Sequence, residues 1–194
     1  MISAARMQLL DEFRVTWGAA DPAADTAVNA GDGLNKLRLL AERLVAVQRC
    51  FHECGALNGP FSRTDIGSLV NALLRPALPV PKAVRCRLKS QAAFTDPQAR
   101  NEHDSPISFF RDLLIEHPGM SQQEWMYVLL KYHRVIKITA DENGRLTVGN
   151  DDRSWKSNRP LDAYGQCRIV LHENSRAALE TYTAWVNEQI EAMR

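Results

Sequence analysis

No stretch of this 194-residue chain approaches the roughly 18 uninterrupted apolar residues that cross a bilayer, so a membrane-spanning protein is not expected. A charge surplus is missing too. Lys and Arg number 24 against 23 Asp and Glu, and a net charge of +1 offers no global attraction to nucleic acid or membrane. Cysteine is scarce: Cys50, Cys54, Cys86 and Cys167 read as reduced thiols rather than a disulfide framework. The opening segment MISAARMQLLDEF lacks the basic start and apolar run of a signal peptide, because Asp11 and Glu12 interrupt it. These absences lead to the expectation of a soluble, cytoplasmic protein. No internal repeat occurs, and there is no G-x-x-x-x-G-K, G-x-G-x-x-G or G-x-S-x-G. Nucleotide hydrolysis, dinucleotide redox chemistry and serine hydrolysis are disfavoured accordingly.

What is present is an ordinary globular composition, 45% hydrophobic and 24% charged. Ile2, Met7, Leu10, Phe13 and Trp17 predict an opening amphipathic helix, and the Ala/Asp/Gly-rich residues 18–33 a flexible linker. Leu37, Leu40, Leu44, Val47, Phe51 and Cys54 recur at three and four, marking a strong helix, and another begins at Thr64 and stops at Pro76. PALPVP (76–81) divides the chain. Residues 1–75 then form an N-terminal helical region and 82–194 a C-terminal α+β region, or both join in one compact domain. KAVRCRLKSQ (82–91) reads as a basic helix. Ser105-Pro106 opens a helix that Pro118-Gly119 closes, and Ser121-Gln122-Gln123-Glu124 is a capping box for the next. RVIKIT (134–139) is strand-like. Asn143-Gly144 favours a hairpin returning through Arg145–Val148, whereas Thr139-Ala140-Asp141-Glu142 is a capping box that would open a short helix instead. CRIVL (167–171) is a second strand candidate, and a final helix covers about 175–194. The expected fold is mainly α with a small β element, including a helix-turn-helix-like unit followed by a hairpin or strand.

Charge is uneven. Residues 75–100 hold six Lys and Arg, among them Lys82, Arg85, Arg87 and Lys89, against Asp96 alone, whereas the first 34 residues are acidic. A basic middle between acidic ends is a nucleic-acid footprint; its bland alternative is a solvated helix face. Glu102-His103-Asp104-Ser105-Pro106 resembles the acidic-His-x-x-Pro segment of HNH-type nucleases. The resemblance implies that Glu102 helps hold Mg²⁺ or Mn²⁺ and that His103 deprotonates the attacking water, since phosphodiester hydrolysis needs a Lewis acid and a base at one water. It covers five residues and departs downstream: the next Asn is Asn143, and no cysteine-pair scaffold follows. Arg111 and His117, six positions apart, resemble the Arg/His signature of HEPN ribonucleases, which implies metal-free work on a scissile phosphate.

The helices 105–117 and 121–133 with their turn, followed by a hairpin, have the order of a winged helix-turn-helix. The second helix would then present Gln122, Gln123, Tyr127 and Lys131 to DNA, Gln pairing with adenine and Lys meeting phosphate or guanine. Cys50-Phe51-His52-Glu53-Cys54 is not read as a metal site, because His52 points away from the cysteine face. Tyr182, Trp185, Ile190 and Met193 stripe the last helix, which either closes the core against the 34–54 helix or forms a seam for a homodimer or partner protein. The expected function is therefore nucleic-acid-acting: a small nuclease using His103 and Glu102, or Arg111 and His117. A non-catalytic DNA-binding module and an interaction subunit are the alternatives.

Overall fold

The structure, a computed structural model, describes residues 32–53, 62–75, 88–148, 155 and 162–193. In chain order the elements are α1 (Asp32–Glu53), α2 (Arg63–Leu74), β1 (Leu88–Lys89), a 3₁₀ turn (Ala92–Phe94), β2 (Arg100–His103), α3 (Ile107–Glu116), α4 (Gln122–Tyr132), β3 (Val135–Ile138), α5 (Ala140–Val148), α6 (Ala163–Gln166) and α7 (Glu173–Ala192). The architecture is mainly helical with a small three-stranded sheet. No helix among the described residues is long and apolar enough to cross a membrane.

Helices α1, α2, α3, α4 and α7 share one core. It is built on Leu37 and Leu44, Ile66 and Val70, Phe110 and Leu113, Trp125 and Leu129, and Tyr182 and Val186. Helix α4 sits at its centre, packed chiefly on α1 and also on α7. Its start is set locally: Ser121 Oγ accepts from the Glu124 amide at 3.2 Å, and Glu124 Oε2 accepts from the Ser121 amide at 2.7 Å. Met120 and Trp125, which flank that box, are both buried in the core. The indole N–H of Trp125 reaches Gln48 Oε1 on α1 at 3.5 Å, and Gln48 donates in turn to the Leu114 and His117 carbonyls. Gln48 is thereby satisfied, where an unpaired buried amide would cost a few kcal/mol.

A second core lies under the sheet, formed by Leu88, Ile136, Ile138, Leu146, Trp155 and Ile169. Strand β3 is central, parallel to β1 and antiparallel to β2. Its alternation of Ile136 and Ile138 with Val135 and Lys137 assigns two faces. Leu88, Ile136, Ile138 and, on β2, Glu102 and Arg100 share the inward register, toward this core. Lys89, Val135, Lys137, Asn101 and His103 share the other, termed outward, which is open to solvent at Lys137 and Asn101 and packed beside the buried His133 at His103.

Several expectations are corrected. Residues 140–148 are the helix α5, not the return of a hairpin. Thr139 Oγ1 accepts from the Glu142 amide at 3.2 Å, while Glu142 Oε2 accepts from the Thr139 amide at 2.8 Å and from Ser90 Oγ at 2.6 Å. With Leu146 buried as well, these ties outweigh the roughly 1 kcal/mol that Gly144 costs in mid-helix. CRIVL forms no strand. Arg168 turns to φ 53°, which breaks the extended run, and only Leu171 bridges to Ser90. The basic helix expected over 82–91 is replaced at its described end by β1, because Leu88 and Lys89 pair with Ile136 and Lys137. Helix α1 begins at Asp32, inside the segment read as linker. Helix α3 begins one residue later than expected, with Pro106 rather than Ser105 at the N-cap position. Helix α7 packs on α4 and β1 more than on α1, and Tyr182 donates to the Leu130 carbonyl at 2.9 Å. Its stripe is turned inward: Tyr182, Val186 and Ile190 are buried, with Trp185 and Met193 packed against them. The opening helix, most of the linker, PALPVP and residues 82–87 lie outside the described residues.

Candidate functional site

Glu102 and His103 sit on β2, a strand of four polar residues with little strand propensity of its own, held extended by pairing with β3. Consecutive strand residues project to opposite faces. Glu102 lies opposite Ile136 in the inward register and His103 opposite Val135 in the outward one. A carboxylate holding Mg²⁺ or Mn²⁺ and a base working on the metal's water need to converge, and these two diverge. Among the described residues no group of three His, Cys, Asp or Glu side chains is arranged to hold a metal ion. The pair does not fit the metal-assisted mechanism.

His103 has a buried neighbour. Its ring stands edge-on to that of His133, centroids 5.2 Å apart, and Phe110 lies 5.8 Å from His133 on the helical side. His133 is 3% exposed, and its Nε2 is 2.6 Å from the Leu74 carbonyl, where only a protonated nitrogen can donate. Burial pushes the His133 pKa down to about 4; the Leu74 carbonyl opposes the shift and His103 adds to it. His133 is thus a neutral clasp between the end of α2 and the start of β3. Beside it, Asp104 forms an ion pair with Arg134, and the Asp104 amide donates to the Arg134 carbonyl at 2.9 Å.

Arg111 and His117 are not brought together. Six helical positions separate them by about 9 Å along α3 and roughly 240° around it. Arg111 lies along α2, where a Cβ on Gly67 would come within 3.2 Å of its Cδ. Its Nε donates to Asp112 Oδ1 at 2.7 Å, and Arg63 reaches the same oxygen at 2.8 Å. Asp112 is 1% exposed, so two guanidinium groups compensate one buried carboxylate. His117 caps the other end of α3, its carbonyl held by Gln48.

The residues named as a DNA reader sit on the most enclosed helix. Gln122 Nε2 donates to the Arg38 carbonyl of α1 at 3.1 Å, and Gln123 is half-buried. Lys131 Nζ donates to Asn187 Oδ1 of α7 at 3.2 Å. Burial, then nearby Arg134, lowers the Lys131 pKa. Among the expected phosphate-binding residues, Lys82, Arg85 and Arg87 lie outside the described residues, and Lys89 is on β1.

Lys89 belongs to a row that sequence reading did not assemble. Lys89, Lys137 and Asn101 are lateral partners across all three strands on the outward face, and Lys137 and Asn101 are exposed. Together with Val135 and His103 they are the strand residues of that face, and none of these five carries a carboxylate. Beyond the β1 edge, the Phe94 ring lies 5.7 Å from Lys89 Nζ and stays 48% exposed. It stacks face to face on His172, centroids 3.8 Å apart with planes 3° from parallel. His172 is itself fixed, its Nδ1 accepting from the Asn174 amide at 3.3 Å at the start of α7. One signal for this face was present in the sequence: a lysine between two isoleucines on a strand must point away from what they bury. No protein-family model, curated protein or solved structure matches this chain, so the HNH-like and HEPN-like likenesses rest on their own short segments alone.

Proposed function

We propose that this protein binds nucleic acid on the outward face of its sheet, with Lys89 and Lys137 meeting phosphates and Asn101 between strand and solvent. The observation that carries the reading is the row Lys89–Lys137–Asn101, with no carboxylate among the described strand residues of that face, in a chain whose net charge is only +1. Cations concentrated on one small surface attract a phosphate backbone even where global charge does not. Placing the interface on α4 is less economical, because Gln122 and Lys131 already serve α1 and α7.

Fluorescence anisotropy of labelled RNA and DNA across a salt series tests this. Log affinity should fall linearly with log salt, and Lys137→Ala should reduce that slope by about one. No binding at low salt removes the proposal. Phosphodiester scission is a second reading, and one observation favours it: half-buried His103, its Nδ1 enclosed beside His133, shares its strand face with Asn101 and Lys137. A general base alone contributes about 10²–10⁴-fold, so cleavage through His103 would be slow. Denaturing gels of the same mixtures, with and without EDTA, read it directly. Scission lost in His103→Ala and indifferent to EDTA supports that role.

A further inference from the structure

We infer that the ligand of this face is single-stranded, with a base stacking on Phe94; the inference rests on the nucleic-acid reading above and narrows it. A cationic row by itself would serve duplex and single strand alike. What distinguishes them is an exposed aromatic ring beside the row, since the π-face of a base is available for stacking only outside a duplex. Phe94 is placed for this. The residue is 48% exposed and its ring is backed by His172 in parallel contact. His172 accepts from the Asn174 amide at 3.3 Å, which orients the ring behind Phe94 before any ligand arrives. Lys89 Nζ stands over the ring, 5.7 Å from its centre, so its flexible stem must swing aside toward a phosphate as a base takes its place on the ring.

The dimensions agree. From Phe94 across Lys89 and Lys137 to Asn101 the row takes two interstrand steps of about 4.8 Å beyond the Lys89–Phe94 contact, enough for a few nucleotides of extended strand. Strands of two and four residues offer no element long enough to follow a duplex groove. Helix α4, which has the length, is enclosed by α1 and α7.

The test compares a labelled strand of about 12 uridines with a duplex of the same length in anisotropy titrations of the full chain. We expect the single strand to bind at least tenfold more tightly. Phe94→Ala should weaken it about tenfold, Phe94→Trp should retain it, and quenching of the introduced indole on binding would report the stack directly. Phe94 is half-exposed, so neither variant threatens the fold; circular dichroism checks that. Equal affinity for strand and duplex, or a Phe94→Ala variant that binds as wild type while Lys137→Ala binds worse, overturns the single-strand inference and leaves nucleic-acid binding standing. Absence of binding to either probe removes both.

Discussion

Two polar regions of this protein differ in what their charges are used for. In the helical layer Gln48, Asp112 and Glu124 are buried, and each side chain ends on partners from the same fold: an indole and two carbonyls, two guanidinium groups, and the capping amide of Ser121. On the outward face of the sheet, Lys137 and Asn101 are exposed, and Lys89 leans over an exposed ring. Arg111 resembles a catalytic residue by spacing, and its guanidinium is held by Asp112. Lys137 stands out by no spacing in the sequence, yet it is exposed and lies beside Lys89 and Asn101 across the sheet. Charge carries functional information only after the fold's own demand for it has been met.

Variants that break the first region should be costly to the fold. Asp112→Ala removes two charge-assisted hydrogen bonds, from Arg63 and Arg111, and should cost about 1.5–3 kcal/mol for each. The urea midpoint should drop sharply with the m-value unchanged. A loss under about 1 kcal/mol would mean that the two arginines relax to solvent and the clamp is not structural.

His133 makes the next largest contribution, and its sign is fixed by its lowered pKa. The folded state binds a proton only near pH 4, whereas the unfolded chain does so near the ordinary 6.5. Stability from this group is therefore complete above pH 6.5 and falls as pH drops through 6.5 toward 4, by about 3 kcal/mol in all. Urea unfolding at pH 7 and pH 4.5 should show that slope, and His133→Gln should flatten it. A wild-type profile that matches the variant's would contradict the clasp.

Thr139→Ala tests the helix that replaced the expected hairpin. Losing the cap of α5 should cost about 1 kcal/mol and weaken amide protection across residues 140–148. The second region should respond in the opposite manner. Lys137→Ala should stay within roughly 0.5 kcal/mol of wild-type stability while its salt slope in nucleic-acid binding falls.

Elements whose instructions are local were legible in the sequence. The Ser121/Glu124 box marked the start of α4 within a residue, the apolar period marked α1 and α7, and RVIKIT marked β3. Elements defined by distant partners were not. β2 is Arg-Asn-Glu-His, extended only because β3 holds it, and β1 is two residues whose partner lies some fifty positions away. The hairpin was favoured on Asn143-Gly144, yet Ser90 and a buried Leu146 decided for the helix. The candidate site failed to appear for the same reason. Glu102 and His103 are neighbours in sequence and opposites on a strand, while Lys89, Lys137 and Asn101 meet only once the sheet is assembled.

The most direct test of the central claim is a map of backbone amide shifts as a single-stranded oligonucleotide is titrated into the labelled protein. The account predicts that the largest changes fall on Lys89, Phe94, Asn101, His103 and Lys137, with α4 and the Arg111–Asp112 pair unmoved. Changes concentrated on Gln122, Gln123 and Lys131, or on Arg111 and His117, with a quiet sheet, would contradict it.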